Sequence, residues 1–92
     1  MIKSFRHKGL EDFYNDGSKR GIQPKHAKNL KFILDRLEMA QFVQDMNFEG
    51  SRLHPLKGEL EGFWSVRVSG NWRVLFKIEN GNAYMIDYLD YH

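Results

Sequence analysis

The sequence contains no cysteine. That excludes disulfide staples and any thiolate metal centre, and a small chain without staples fits the cytoplasm. No apolar stretch approaches the roughly 18–20 residues a membrane span requires, and the opening MIKSFRHKGL lacks the apolar region of a secretory signal. No membrane partner is therefore expected. Linkers, repeats and low-complexity stretches are also missing, so residues 1–92 are expected to form a single domain. A chain this short hides about 60–65% of its unfolded surface on folding, enough for one core. Hydrophobic residues make up 41% and charged residues 28%, too apolar a mixture for a disordered chain.

Net charge is also scarce, at +2, but it is unevenly spread. From Gly17 to Arg36 there are six basic residues, Lys19, Arg20, Lys25, Lys28, Lys31 and Arg36, against one acid, Asp35. Such a patch suits a polyanion; a solvated, lysine-bearing helix face is the plainer alternative. Lysines in a first helical turn oppose the helix dipole, so helix stability does not account for Lys25 and Lys28.

Hydrophobic spacing predicts the elements. Met1–Phe5 reads as a strand, and Leu10, Phe13 and Tyr14 mark a short helix ended by Gly17. Pro24 stands where a helix takes its first residue, and Ala27, Leu30, Ile33, Leu34, Leu37 and Ala40 form one helical face behind it. A further helical piece is expected through Phe42 to Met46. From Arg52 the period becomes two. His54-Pro55 lies in a strand that Pro55 confines to an edge or a bulge, and alternating runs follow from Trp64, from Trp72 and from Asn82. Asn80-Gly81 is a strong hairpin signal. The class is α+β: an N-terminal strand and two to three helices packed on one face of an antiparallel C-terminal sheet.

The turns also predict register. A two-residue Asn80-Gly81 loop sets Ile78 opposite Ala83, Phe76 opposite Met85 and Arg73 opposite Tyr88. A three-residue Ser69-Gly70-Asn71 loop sets Val68 opposite Trp72 and Arg67 opposite Arg73. One face then carries Trp72, Val74, Phe76, Ile78, Val66, Val68 and Met85 as core. The other carries the row Arg67, Arg73, Tyr88, which period two extends to Asp90 and His92 while sending Tyr91 the other way. Two facing arginines at about 5 Å repel by roughly 3 kcal/mol at an effective dielectric near 20, before solvent and salt reduce it. A phosphate between them turns that cost into a charge-assisted clamp; neutralisation by Asp87, Asp90 or Glu79 is the alternative.

Metal-free RNA cleavage needs a base for a 2′-hydroxyl, an acid for the departing 5′-oxygen, and cations for the phosphorane. His54, His92 and Asp90 can supply the proton transfers, and Arg67, Arg73 and Lys57 the charge. His54, Asp90 and His92 could in principle ligate a metal, but they lack a closely spaced ligand pair, so neither a metal nor another cofactor is expected.

His54-Pro55-Leu56-Lys57-Gly58, Gly62-Phe63-Trp64-Ser65-Val66-Arg67-Val68, Asn71-Trp72-Arg73-Val74-Leu75-Phe76 and the closing Asp90-Tyr91-His92 together resemble the HigB branch of the RelE superfamily of toxins. The opening Met1-Ile2-Lys3-Ser4-Phe5 agrees, whereas residues 8–50 add little. The resemblance implies the RelE-like microbial ribonuclease fold. It implies an endoribonuclease that cleaves mRNA in the ribosomal A site, and a HigA-type helix-turn-helix antitoxin through which alone the protein reaches operator DNA. It also implies a catalytic set of His54, Asp90, Tyr91 and His92, with Lys57, Arg67 and Arg73 holding RNA or the transition-state phosphate. His92 or Asp90 is then favoured as base and His54 as acid. On that footing Lys19, Arg20, Lys25, Lys28 and Lys31 are candidates to grip the small ribosomal subunit. The competing reading is a non-catalytic RNA- or ribosome-binding module of the same fold; a DNA-binding protein is disfavoured because no helix resembles a recognition helix. Charge reversal of Lys25 and Lys28 is expected to weaken ribosome binding. Co-sedimentation with ribosomes checks this, and unchanged binding refutes it.

Overall fold

In the computed structural model, which describes residues 1–91, helix α1 spans Lys8–Asp16 and α2 spans Ala27–Met39, entered through a 3-10 turn at Pro24–His26. A second 3-10 turn, Val43–Met46, leads towards strands β1 (His54–Pro55), β2 (Trp64–Ser69), β3 (Trp72–Glu79) and β4 (Asn82–Asp90). The strands form one antiparallel sheet in the order β1-β2-β3-β4, as an α+β chain with a C-terminal meander should. The expected N-terminal strand takes the form of two parallel bridges along β4, Ile2 to Ala83 and Phe5 to Ile86.

The ends of α1 follow from residue chemistry. His7 caps it by accepting the Leu10 N–H on Nδ1 at 3.0 Å, and Gly17 ends it at φ 78°, a left-handed cap that glycine adopts without strain. The face read from the spacing of α2 is the buried one. Leu30, Ile33, Leu34 and Leu37 pack with Val66, Val74, Phe76 and Ile86. Each such side chain contributes about 1.5–3 kcal/mol on leaving water.

Glu38 on α2 ties three segments together. Its carboxylate accepts the Ile2 N–H and the Tyr14 hydroxyl, both at 2.9 Å. The Ile2 bond holds this carboxyl below its ordinary range, and burial followed by the Glu38 bond pushes Tyr14 up to about 12.

The sheet departs from the expected register at two places. In the β2–β3 hairpin Ser69, not Val68, pairs with Trp72, yet Arg67 still faces Arg73. In β4 an extra residue intervenes. Ile78 faces Ala83 and Lys77 faces Tyr84, but Leu75 faces Asp87, Val74 faces Tyr88 and Arg73 faces Leu89. Met85, at φ 54°, lies within this bulge. One inserted residue reverses the face of every residue beyond it. Met85 is therefore exposed rather than core, and Tyr88 leaves the arginine row for the helix side, where it is buried. A register counted from the turn cannot contain a bulge that no turn residue announces.

Buried Tyr88 finds partners there. Its hydroxyl accepts the Gln23 N–H at 3.3 Å and lies 2.7 Å from Nδ1 of buried His26. With Gln23 donating, the hydroxyl hydrogen is free to go to His26. Trp72 packs beside both, its ring 4.8 Å from Tyr88 and 5.5 Å from His26. Burial, then the Lys25 charge, pushes His26 below its ordinary value. Protonation is thus easier in the unfolded chain, so this stabilisation is complete above about pH 6.5 and is lost as the pH falls towards the lower folded value. The wild type should lose melting temperature between pH 7 and 5.5, and His26→Gln should flatten that slope; parallel pH profiles would exclude His26 as the cause.

Candidate active site

Pro55 has no N–H to offer a second neighbour, and β1 is the edge strand its sequence required, paired to β2 through His54–Ser65 and Pro55–Trp64. This places His54 beside Ser65, on the face of β2 that also presents Arg67. The His54 Nδ1 lies 3.1 Å from the Arg52 carbonyl. A carbonyl only accepts, so Nδ1 carries a proton and Nε2 is the nitrogen left to exchange one.

Arg73 is fixed from two sides. Its Nη1 donates to Ser65 Oγ at 3.0 Å and to the same Arg52 carbonyl at 3.3 Å. Arg67 stands directly opposite, exposed, and donates from Nε to the Gly70 carbonyl at 3.2 Å. Burial lowers the Arg73 pKa, then the charges of Arg52 and Arg67 lower it further, while Tyr91 acts the other way. The ion pairs among the described residues are Arg6–Asp87, Lys8–Asp12 and Lys31–Asp35, and none of these takes an arginine of this cluster. Asp87, one of the expected neutralisers, also accepts the Tyr88 N–H.

The bulge at Met85 decides what else reaches this face. By alternation, Asp87, Leu89 and Tyr91 follow Arg73, and the ladder continues past β4 as the Tyr91 N–H donates to the Asn71 carbonyl at 2.8 Å. Tyr91, expected to point away, therefore joins the arginines. Asp90, expected beside them, pairs with Trp72 at the exposed end of the opposite face. His92 lies outside the described residues. Among those residues no three candidate ligands converge on a metal position. Lys57 stands exposed where the loop after β1 enters the 3-10 turn Gly58–Leu60.

The basic patch is separate and divided. Lys19, Lys25, Lys28 and Lys31 line one open groove with Phe13 and Phe32, although Lys31 also pairs with Asp35 at 3.2 Å. Arg20 lies apart, in a hollow with Asp12, Asp16 and Ser18. Sequence reasoning missed Ser65 and Arg52. Ser65 shares the period-two face of Arg67 and could have been read from it. Arg52 owes its place to a left-handed backbone, φ 48°, which no neighbouring residue signals. Such a conformation costs a non-glycine residue about 1–3 kcal/mol and persists where its surroundings enforce it.

A family model described as the RelE-like toxin of the type II toxin-antitoxin system HigB matches residues 3–92. The chain is 40% identical over 92 residues to "Endoribonuclease HigB" of Proteus vulgaris, covering 100% of both. It is 35% identical over 94 residues to "Toxin HigB-1" of Vibrio cholerae, covering 100% of this chain and 98% of that one. The fold is similar to the YoeB-YefM complex from Staphylococcus aureus, with a TM-score of 0.64 at 16% identity, covering 100% of this chain and 95% of that one. It is also similar to YafQ from E. coli, with a TM-score of 0.55 at 16% identity, covering 92% and 86%.

Directly facing arginines predict a stability cost that an anion removes. Arg67→Gln should raise the melting temperature by about 2–4 °C, the value of one relieved like-charge pair. Phosphate should stabilise the wild type beyond chloride at equal ionic strength, and the variant less. Differential scanning calorimetry checks both; a variant that melts lower would count against repulsion.

Proposed function

The chain belongs to the HigB-like toxins, the RelE-like toxins of type II toxin–antitoxin systems, and from that premise we propose that it is an endoribonuclease cutting mRNA in the A site of the translating ribosome. One observation carries the chemistry: directly facing arginines stand beside a histidine whose Nδ1 is already engaged. The scissile phosphate lies between Arg67 and Arg73. His92 is the base we favour, since Asp90 pairs with Trp72 on the opposite face; it takes the 2′-hydroxyl proton, and that oxygen bonds to phosphorus. The bond from phosphorus to the 5′-oxygen breaks, and His54 Nε2 gives the leaving oxygen its proton. The products are a 2′,3′-cyclic phosphate and a free 5′-hydroxyl, and no metal is used.

Each residue has a part in this scheme. Arg73, held by Ser65 and the Arg52 carbonyl, meets the growing phosphorane charge without reorganising, which is where fixed donors act most strongly. Exposed Arg67 closes from the other side, and Lys57 extends the positive field along the strand. Tyr91 stands on the Arg73 face and orients the phosphate or the nucleotide beside it. Lys19, Lys25, Lys28 and Lys31, with Arg20 nearby, grip ribosomal RNA of the small subunit through phosphate contacts that position without reading sequence. The partner that restrains the toxin is a HigA-type helix-turn-helix antitoxin, and operator DNA is reached only through it. The cytoplasm, where ribosomes are, is the site of action.

The alternative is an RNA- or ribosome-binding module without cleavage. Inducing the wild type, His54→Gln and His92→Gln in a bacterium lacking antitoxin, and mapping mRNA ends, separates the two. Codon-phased cuts are expected with the wild type, and a loss of about 10²–10⁴-fold in each variant. Growth arrest of equal depth in all three, without cuts, would establish the binding module instead.

A further inference from the structure

We propose that Arg52 belongs to this site twice over: its left-handed backbone aims the carbonyl that fixes both His54 and Arg73, and its guanidinium is a third cation for the RNA phosphate. The inference rests on the ribonuclease reading above.

Among the described residues three non-glycine residues have positive φ, and two of them have local reasons: Asn80 is in the Asn-Gly turn and Met85 in the β4 bulge. Arg52, at φ 48°, is in neither a hairpin turn nor a bulge. Its surroundings show what the conformation achieves. The preceding carbonyl, of buried Ser51, accepts the Arg67 N–H at 2.7 Å and pins this segment along β2 where β1 has not yet begun. The very next carbonyl, that of Arg52, serves His54 Nδ1 at 3.1 Å and Arg73 Nη1 at 3.3 Å. Extended backbone turns successive carbonyls to opposite sides, and the left-handed residue redirects the second of them. A single acceptor thus sets the proton-bearing nitrogen of the acid–base residue and the direction of the phosphate-binding one.

The side chain contributes separately. Arg52 is exposed and its carbonyl lies 3.3 Å from Arg73 Nη1, which tethers its guanidinium beside the Arg73 cation, and its charge lowers the Arg73 pKa. Among the described residues Arg52 has no ion pair of its own. A phosphorane carries more negative charge than the phosphate it comes from, and three guanidinium groups around it match that growth.

Three substitutions divide the two roles. Arg52→Gly keeps the left-handed backbone and removes the cation. Arg52→Lys keeps a cation. Arg52→Val removes the cation and, being β-branched, resists the backbone as well. Two measurements need no cleavage: nitrogen-15 NMR of the His54 ring, and the salt dependence of binding to a single-stranded 2′-O-methyl RNA. Arg52→Gly should keep the Nδ1–H tautomer of His54, weaken binding about tenfold, and lower the log-affinity against log-salt slope by about 0.7, one single-strand phosphate contact. Arg52→Lys should restore that slope, and Arg52→Val should lose both the slope and the tautomer. An unchanged slope in Arg52→Gly would overturn the phosphate role, and an unchanged tautomer in Arg52→Val the positioning role. Mapping mRNA ends with the wild type tests the ribonuclease reading independently, so the two failures are told apart.

Discussion

A β-strand offers alternate residues to opposite faces, and an added residue reverses the alternation from that point on. The extra residue at Met85 in β4 is the constraint on which both halves of this structure rest. Beyond it, Tyr88 turns inward to His26 and Trp72, while Leu89 and Tyr91 turn outward to Arg73. Without the bulge, a tyrosine made for the core would lie among arginines and the core would lack its partner for His26. The bulge joins a buried aromatic anchor to an exposed arginine strip through one backbone irregularity.

The strip is costly to the fold. Arg67 and Arg73 face each other, Arg52 adds to the same field, and Asp87 on that face pairs with Arg6. Stability comes chiefly from the other side of the sheet, where α2 buries Leu30, Ile33, Leu34 and Leu37 and Glu38 fastens the N-terminal segment and α1 to α2, with a smaller cluster of Leu56, Phe63 and Leu75 beside the arginines.

The fold was largely legible in the sequence because its signals are periodic. The α2 face, the edge placement of His54-Pro55 and the Asn80-Gly81 hairpin all follow from spacing and turn chemistry. So does the facing of Arg67 and Arg73, which survives a different hairpin tip. The row past Arg73 was not legible, since a bulge leaves no mark in a period-two pattern and reassigns Tyr88, Asp90 and Tyr91 together. Arg52 escaped for a related reason: its importance lies in a carbonyl, and sequence patterns report side chains. The basic patch was seen as one feature, but folding separates Arg20 from the groove shared by Lys19, Lys25, Lys28 and Lys31.

The N-terminal segment has one more effect. Its bridges at Ile2 and Phe5, with the Lys3 N–H on the Ala83 carbonyl and the Ile86 N–H on the Ser4 carbonyl, occupy the outer hydrogen-bonding edge of β4. At the opposite edge, β1 is two residues long and contains a proline, and Ser51 takes the Arg67 N–H beyond it. Both borders of the sheet are thus closed or blunted, which guards against edge-to-edge aggregation. It also means that strand addition has little backbone to work with in this molecule, so a protein partner gains most of its hold from faces and grooves, not by lengthening the sheet.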